Sequence, residues 1–442
     1  MSQAKTTDPK KMEAVVSLCR RRAFIFQSSE IYGGLNGCWD YGPLGVELKR
    51  NIKEAWWRDN VTGREDVVGM DCSILMNPRV WEASGHTTSF SDPMVDCTQC
   101  RGRFRADHIQ NNQCPTCGTK DKFTEVRQFN LMFKTFVGAL EDSSAQVYLR
   151  PETCQGIFAN FGNIVSTSRV KVPFGIAQIG KAFRNEINPR NFTFRSREFE
   201  QMEMEFFVKA DAAEAKKWYE YWKDNRYNWY LNYGIKRERL HLREHEENEL
   251  AHYAAGCADV EYDFPFGRAE LEGIANRTDY DLKRHSEFSK KDLSYFDPES
   301  NTRFVPHVIE PSAGADRATL AFLVDAYEEE GERTVLRFDP RLAPFKAAFL
   351  PLVNKDGMPE LAEKLFKYTR KTWNVFFDDK GAIGRRYRRQ DEAGTPFCIT
   401  IDGDSVGAQS VTVRERDSMK QERVAIDQLE SYLNKAIRKE NA

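Results

Sequence analysis

Residues 174–207 read FGIAQIGKAFRNEINPRNFTFRSREFEQMEMEFF. The opening part, FGIAQIGKAFRNE, alternates apolar with polar or small residues, and the closing part, FTFRSREFEQMEMEFF, does so again. A period of two marks a strand with one buried face. Between the two parts, Asn185 to Asn191 holds an Asn-Pro step among polar side chains, a turn signal. The stretch predicts a hairpin with Arg184 and Glu186 at its lip and Arg195, Arg197, Glu203 and Glu205 along the return strand. On that strand Met202, Met204 and Phe206 share one parity and Gln201, Glu203 and Glu205 the other. Cations and carboxylates therefore stand side by side over an apolar floor, a pattern that a solvated sheet face would also produce.

Downstream, FVPHVIEPSAGADRATLAFL (304–323) predicts a strand, a small-residue turn at Gly314 and a helix entered through Asp316 and Arg317. Upstream, RPETCQG from Arg150 opens a helix, and Glu152 stands where an acidic cap is common. Earlier still, glycines 33, 34, 37, 42 and 45 suit tight turns. Pro43 then begins a helix with Leu44, Leu48, Ile52, Ala55 and Trp56 on one stripe, to dock on the chain's own core or on a second subunit. Residues 10–27 predict an amphipathic helix closed by Arg20, Arg21 and Arg22.

Cys97, Cys100, Cys114 and Cys117 form two CxxC knuckles separated by thirteen residues. Four thiolates at this spacing predict a tetrahedral Zn²⁺ site with no open position, hence a structural one. Arg101, Arg103, Arg105, Lys120 and Lys122 surround it, as a nucleic-acid contact would require. The other six cysteines are scattered, which fits a reducing compartment. The aromatic run from Lys209 to Tyr233 predicts a helix that buries its rings. His241, His245 and His252 lack an HExxH spacing and read as protonatable pairs on a solvated helix. Glu270 and Glu272 share one parity of a predicted strand, and paired carboxylates beside a triphosphate suit Mg²⁺.

After a linker near 337–342 the chain alternates strand and helix, as a compact α/β domain does, and carries Arg385, Arg386, Arg388 and Arg389 beside Tyr387. A length of 442 residues calls for two or three domains. A net charge of −2 places any nucleic-acid contact on local patches. No apolar run reaches the roughly 18 residues of a membrane span, and the first residues, without a long apolar core before a cleavage site, argue against an expectation of secretion.

These motifs, in this order, resemble class II aminoacyl-tRNA synthetases. Residues 174–207 are similar to the second signature motif, the glycine-rich turns and helix of 30–61 to the first, and 304–323 to the third. The RNE step followed by FRSREFEQMEMEFF, and RPET followed by two residues and glycine, are similar to the glycyl branch. The resemblance implies an α+β fold: a class II antiparallel sheet flanked by helices over residues 1–338, interrupted by a zinc ribbon at about 95–125 and an insertion of helix and strands at about 209–300. An α/β anticodon-binding domain would follow at 339–442.

It further implies that Arg184 holds the ATP α-phosphate, Glu186 reads the adenine amino group and Arg317 grips the γ-phosphate. Asn185, Phe194, Arg195, Ser196, Arg197, Glu198, Phe199, Glu270, Leu271, Gly314, Ala315 and Asp316 would complete the ATP site. Glu152 would bind the glycine ammonium, ringed by Glu203, Glu310 and Ser312. Arg105 of FRADH, Phe199, Glu200, Gln201, Met202, Pro311, Ala313 and Gly314 would complete that ring. So tight a pocket would reject alanine by crowding. Arg385, Arg386, Arg388 and Arg389 would meet tRNA phosphates. The implied activity is charging of tRNA-Gly with glycine, using ATP and Mg²⁺, by a cytoplasmic homodimer that contacts no membrane. The alternatives are a catalytically inactive relative serving as a nucleic-acid-binding accessory subunit, and an enzyme that adenylates its substrate for a different acceptor. The first is expected to lose Arg184 and Arg317, and the basic C-terminal patch argues against the second.

Overall fold

A computed structural model describes residues 7–250 and 254–439. Its centre is a seven-stranded sheet of β1 (Val67–Gly69), β2 (Phe174–Phe183), β3 (Glu198–Val208), β4 (Leu240–Glu244), β5 (Gly256–Phe264), β6 (Gly267–Thr278) and β7 (His307–Gly314). The spatial order is β4-β5-β6-β7-β3-β2-β1. Neighbours are antiparallel except β1 and β2, which run parallel. β2 and β3 pair from Phe174 opposite Phe207 to Phe183 opposite Glu198. The return strand expected from Phe192 thus starts later. Residues 184–197 form a long loop with one short turn at Phe192–Phe194, and Arg195 and Arg197 lie in the loop instead of on the strand.

Helices cover both faces of this sheet. They are α1 (Pro9–Arg21), α2 (Pro43–Trp57), α3 (Cys154–Ser168), α4 (Ala212–Asn232), α5 (Tyr280–Ser289) and α6 (Ala315–Ala326). α1 stops at Arg21, short of the expected end, and Ile25–Gln27 is extended. The Met202, Met204 and Phe206 parity packs into the main core, where the Phe206 ring lies 4.6 Å from that of Trp218 and 5.2 Å from that of Trp222 on α4. The stripe from Leu44 to Trp56 on α2 is buried in the same core. The opposite parity is covered too. Phe207 meets Phe161 of α3 at 4.6 Å, and Glu203 and Glu205 lie beneath that helix at 1% and 0% exposure.

The segment expected as an insertion at 209–300 differs from its prediction. Residues 240–278 supply three strands of the central sheet, so they are part of the framework and not an appendage. Strand β4 also replaces the solvated helix expected around the histidines: His241 pairs with Asp263 at 2.9 Å and His245 with Asp259 at 2.8 Å. His252 lies outside the described residues.

The C-terminal unit has its own mixed sheet of β8 (Ala347–Pro351), β9 (Val375–Phe377), β10 (Phe397–Ile401), β11 (Ser410–Glu415) and β12 (Gln421–Ala425), in the order β9-β8-β10-β11-β12. Helices α7 (Met358–Thr369), α8 (Ile383–Ala393) and α9 (Leu429–Arg438) accompany it, over a separate core that includes Phe349, Ile399, Val413 and Leu433. Asp391 of α8, fully buried, takes Arg333 from the N-terminal unit at 2.9 Å and Arg414 from β11 at 2.9 Å. Gly394 ends α8 at φ +76°, where a Cβ would meet the Phe338 ring at 2.4 Å, so glycine is required there twice over.

Candidate functional site

One cleft opens over β3, β6 and β7, between the 184–197 loop and the start of α6. Arg184 and Arg317, 133 positions apart in sequence, both line it. Arg184 leaves the end of β2, donates from Nε to the Pro151 carbonyl at 3.0 Å, and lies between two rings, 5.5 Å from the Phe90 centroid and 5.3 Å from that of Phe199. Arg317 stands in the first turn of α6. Its Nε donates to the Phe194 carbonyl at 3.2 Å, its guanidinium covers the Phe194 ring at 4.5 Å, and it meets Glu270 Oε1 at 3.1 Å. That cation holds the Glu270 carboxyl below its ordinary range. Stacking and hydrogen bonds to main-chain carbonyls fix both guanidinium groups before any ligand arrives, which limits reorganisation on binding.

The floor is acidic. Gln201, Glu310 and Ser312 face the cleft, and Glu203 lies just behind them. Ser312 Oγ donates to Glu203 Oε1 at 2.7 Å, the Thr153 amide donates to Oε2 at 3.1 Å, and the Thr153 hydroxyl donates there as well. Glu310 accepts from Arg277 Nη1 at 2.6 Å. Burial nevertheless pushes its carboxyl up to about 8, with Glu203 and Glu152 adding to the rise and Arg277 opposing it. For Glu152 the balance reverses. Burial works against its charge, yet His86 at 3.4 Å and Arg277 hold it well below the usual range, and Cys154 Sγ and Gln155 Nε2 donate to it at 2.9 and 3.1 Å. The arrangement sets two arginines on the walls of the cleft and carboxylates at its floor.

Thirteen of the sequence-predicted residues line this cleft: Arg184, Glu186, Phe194, Arg195, Ser196, Phe199, Gln201, Glu270, Glu310, Ser312, Gly314, Asp316 and Arg317. Others are held elsewhere. Met202 and Ala313 point into the core on the opposite parity, beside Pro311, and Leu271 and Ala315 are also buried in the core. Glu200 pairs with Lys49 and Lys53 of α2 at 2.9 and 2.8 Å. Asp316, although at the cleft edge, binds Tyr41, Lys49 and the Glu200 amide at 2.6, 2.8 and 2.7 Å, so its carboxylate ties α6 to α2 and β3. Arg197 is bound to the carbonyls of Asn36 and Glu186, and Glu198 to Lys181 at 2.6 Å. The Asn185 amide donates to the Leu131 carbonyl. Arg105 pairs with Asp92 at 2.9 Å and Asp107 at 2.7 Å and does not line the cleft.

The expected carboxylate pair of Glu270 and Glu272 does not form. Glu272 lies opposite Val260 but Glu270 opposite Glu261, so a bulge leaves Leu271 unpaired. One extra residue turns the strand parity over. Glu270 faces the cleft, while Glu272, fully buried, points into the core and binds Arg226 of α4 at 2.7 Å. Sequence reasoning also missed Thr193, Cys257, Gly273 and Ala275 on the cleft wall, and Thr153, His86 and Arg277 behind it. No local motif marks these residues; sheet order alone brings them in.

Away from the cleft, Cys97 Sγ lies 3.7 Å from Cys117 Sγ and Cys100 Sγ 3.6 Å from Cys114 Sγ, and all four sulfurs fall within 4.8 Å of one another. On α8, Arg385 and Arg388 are exposed and Arg389 reaches Asp378 at 2.7 Å. Arg386 departs from the expected basic patch: it is 2% exposed and donates to the carbonyls of Pro351, Asp378 and Leu352.

An antiparallel sheet that brings a strand-loop-strand arginine and a strand-helix arginine to one cleft defines a class II aminoacyl-tRNA synthetase core. Residues 133–377 match the family described as tRNA synthetase class II core domain (G, H, P, S and T), and 346–436 match the anticodon binding domain. A prolyl-tRNA synthetase from Cryptosporidium parvum superposes with a TM-score of 0.66 over 99% of this chain and 80% of its own, at 14% identity, a likeness of fold. The glycine–tRNA ligase of Streptomyces coelicolor is 54% identical over 451 residues, covering 96% of this chain and 98% of its own. That of Treponema denticola is 52% identical over 442 residues, covering 97% of each. The chain belongs to the glycine–tRNA ligase family.

Proposed function

We propose that the chain is an ATP-dependent glycine–tRNA ligase. It activates glycine to glycyl-adenylate and then transfers the glycyl group to the 3′ end of tRNA-Gly. The carrying observation is a single cleft with Arg184 and Arg317 on its walls and Gln201, Glu310 and Ser312 on its floor. The glycine carboxylate attacks the ATP α-phosphorus, the bond to pyrophosphate breaks, and charge spreads over the phosphoryl oxygens. Arg184, anchored through Nε, offers its terminal amino groups to the α-phosphate. Arg317 exchanges Glu270 for the γ-phosphate. Mg²⁺ bound with ATP supplies further neutralisation of phosphate charge. A hydroxyl of the terminal adenosine then displaces AMP from the acyl carbon. Positioning and charge do the work, and no protein nucleophile is required.

The ammonium of glycine belongs among Glu152, Glu203 and Glu310, and Gln201 and Ser312 leave it no space for a side chain. The four clustered cysteines hold a structural Zn²⁺, since thiolates about 2.3 Å from zinc put their sulfurs at the separations seen here. Arg385 and Arg388 contact tRNA phosphates from a domain spanning 339–442. The chain is a homodimer in the cytoplasm. Ile31, Tyr32 and Leu35, 90%, 87% and 56% exposed just before α2, supply an apolar surface for the partner copy. No helix among the described residues is long and apolar enough to cross a membrane.

Glycine-dependent exchange of labelled pyrophosphate into ATP, followed by charging of tRNA-Gly, tests the activity. Exchange without charging would assign a different acceptor. Absence of both would leave the accessory-subunit reading.

A further inference from the structure

Two residues along β3 from Glu203, on the same parity, Glu205 lies opposite Ile176 of β2. It is fully buried, and neither carboxylate oxygen receives a hydrogen bond among the described residues. On one side stands the apolar cluster of Phe158, Phe161, Phe174 and Phe207. On the other is the acidic floor: one atom each of Cys154, Glu203, Glu205 and Glu310 lies within 4.8 Å of all the rest. The charged groups that face it come from every element around it: Glu203 on its own strand, Glu310 on β7, Arg277 near the end of β6 and Asp281 on α5. Arg277 is committed elsewhere, with Nε and Nη2 on Asp281 and Nη1 on Glu310.

An ionised Glu205 in this place, beside Glu203 and Glu310, would add an undischarged desolvation cost and repulsion. A carboxylic acid would instead bring an O–H donor to neighbours that are acceptors. Burial, then Glu310 and Glu203, push its carboxyl well above the ordinary range, which agrees.

We infer that Glu205 is a positioning residue for the glycine ammonium, held as a neutral acid whose O–H donates to the Glu203–Glu310 pair and keeps those carboxylates aimed at the substrate. This inference rests on the glycine site proposed above. It also explains why a residue that touches no ligand is a glutamate: the donor must reach between two carboxylates from an apolar bed.

Two variants and two readouts test it. Glu205→Gln keeps an N–H donor of the same length, whereas Glu205→Leu keeps the volume and removes the donor. Infrared difference spectra of wild type against Glu205→Gln, near pH 8 in heavy water, should show the loss of one protonated-carboxyl stretch. In pyrophosphate exchange, Glu205→Gln should keep a glycine KM close to wild type. Glu205→Leu should raise that KM by about tenfold or more, the loss of one hydrogen bond to a charged group, with the ATP KM unchanged.

The inference falls if no such band is lost, if Glu205→Leu binds glycine normally, or if both variants lose glycine affinity equally. The infrared reading stands on Glu205→Gln even where the leucine variant fails to fold. A wild type without glycine-dependent exchange would overturn the glycine site and this role together, whereas a missing infrared band with normal exchange would overturn this role alone.

Discussion

Replacing Glu272 separates two roles that the same residue could have. As a metal ligand beside ATP, its loss would raise the Mg²⁺ requirement and leave the fold intact. In the structure it is an interior anion, fully buried, with Arg226 Nε at 2.7 Å and Nη2 at 3.4 Å. Arg226 has no exposure of its own and also donates to Asn60 Oδ1 at 2.8 Å. Glu272→Gln would therefore strand an uncompensated guanidinium in the core, at a cost of about 3–5 kcal/mol. With the steep urea dependence of a large chain, that lowers the unfolding midpoint of the catalytic region by about 1 M or more. Tryptophan fluorescence reports the event, because the Trp56 and Trp229 rings lie 5.9 and 5.0 Å from the Arg226 guanidinium. Removing both charges together, as Arg226→Met with Glu272→Leu, should recover most of the loss, since an apolar pair of similar volume substitutes well for a buried ion pair. A Glu272→Gln protein with wild-type stability and a raised Mg²⁺ requirement in pyrophosphate exchange would refute this account and restore the metal-ligand reading.

Arg184→Ala should lower glycine-dependent exchange by about 10²–10³-fold while circular dichroism and the unfolding midpoint stay unchanged, the signature of a group that stabilises developing charge. The α8 arginines should divide by face: Arg386→Ala abandons three carbonyls, two of them in buried bonds, and should destabilise the C-terminal unit by about 3 kcal/mol in urea unfolding, whereas Arg385→Ala with Arg388→Ala should raise the KM for tRNA and leave stability unchanged. Burial opposes ionisation of Glu200, but Lys49 and Lys53 outweigh it and hold its carboxyl at about 2, below its ordinary 4.5. Its contribution, about 3 kcal/mol, is therefore complete above about pH 4.5 and lost as pH falls toward 2. Unfolding midpoints of Glu200→Gln measured across that window should lack this part of the acid decline.

What could be read in advance, and what could not, follows from how far each signal reaches along the chain. The pairing of β2 with β3 was legible because alternation over ten residues and an Asn-Pro turn are local, and a one-residue slip would turn Met202, Met204 and Phe206 away from the main core onto the opposite face. Cover on the polar parity was not legible. It comes from α3, whose Phe158 and Phe161 arrive from another segment, and it buries Glu203 and Glu205, which alternation alone could equally have set on a solvated face. The same gap explains Arg386. Four arginines in five residues look like one patch, yet a helix turns about 100° per residue and must set some of them inward. Arg386 alone finds a ring of carbonyls at the end of β8 to receive it. Parity failed at Leu271 for a different reason: a bulge inserts one residue without any glycine or proline to announce it. The bulge is nevertheless what sends Glu270 to the cleft and Glu272 to Arg226, so an irregularity of one residue assigns two carboxylates of the same sequence parity to opposite duties. Counting by twos can locate such a strand, but the side-chain assignment depends on which partner strand enforces the register.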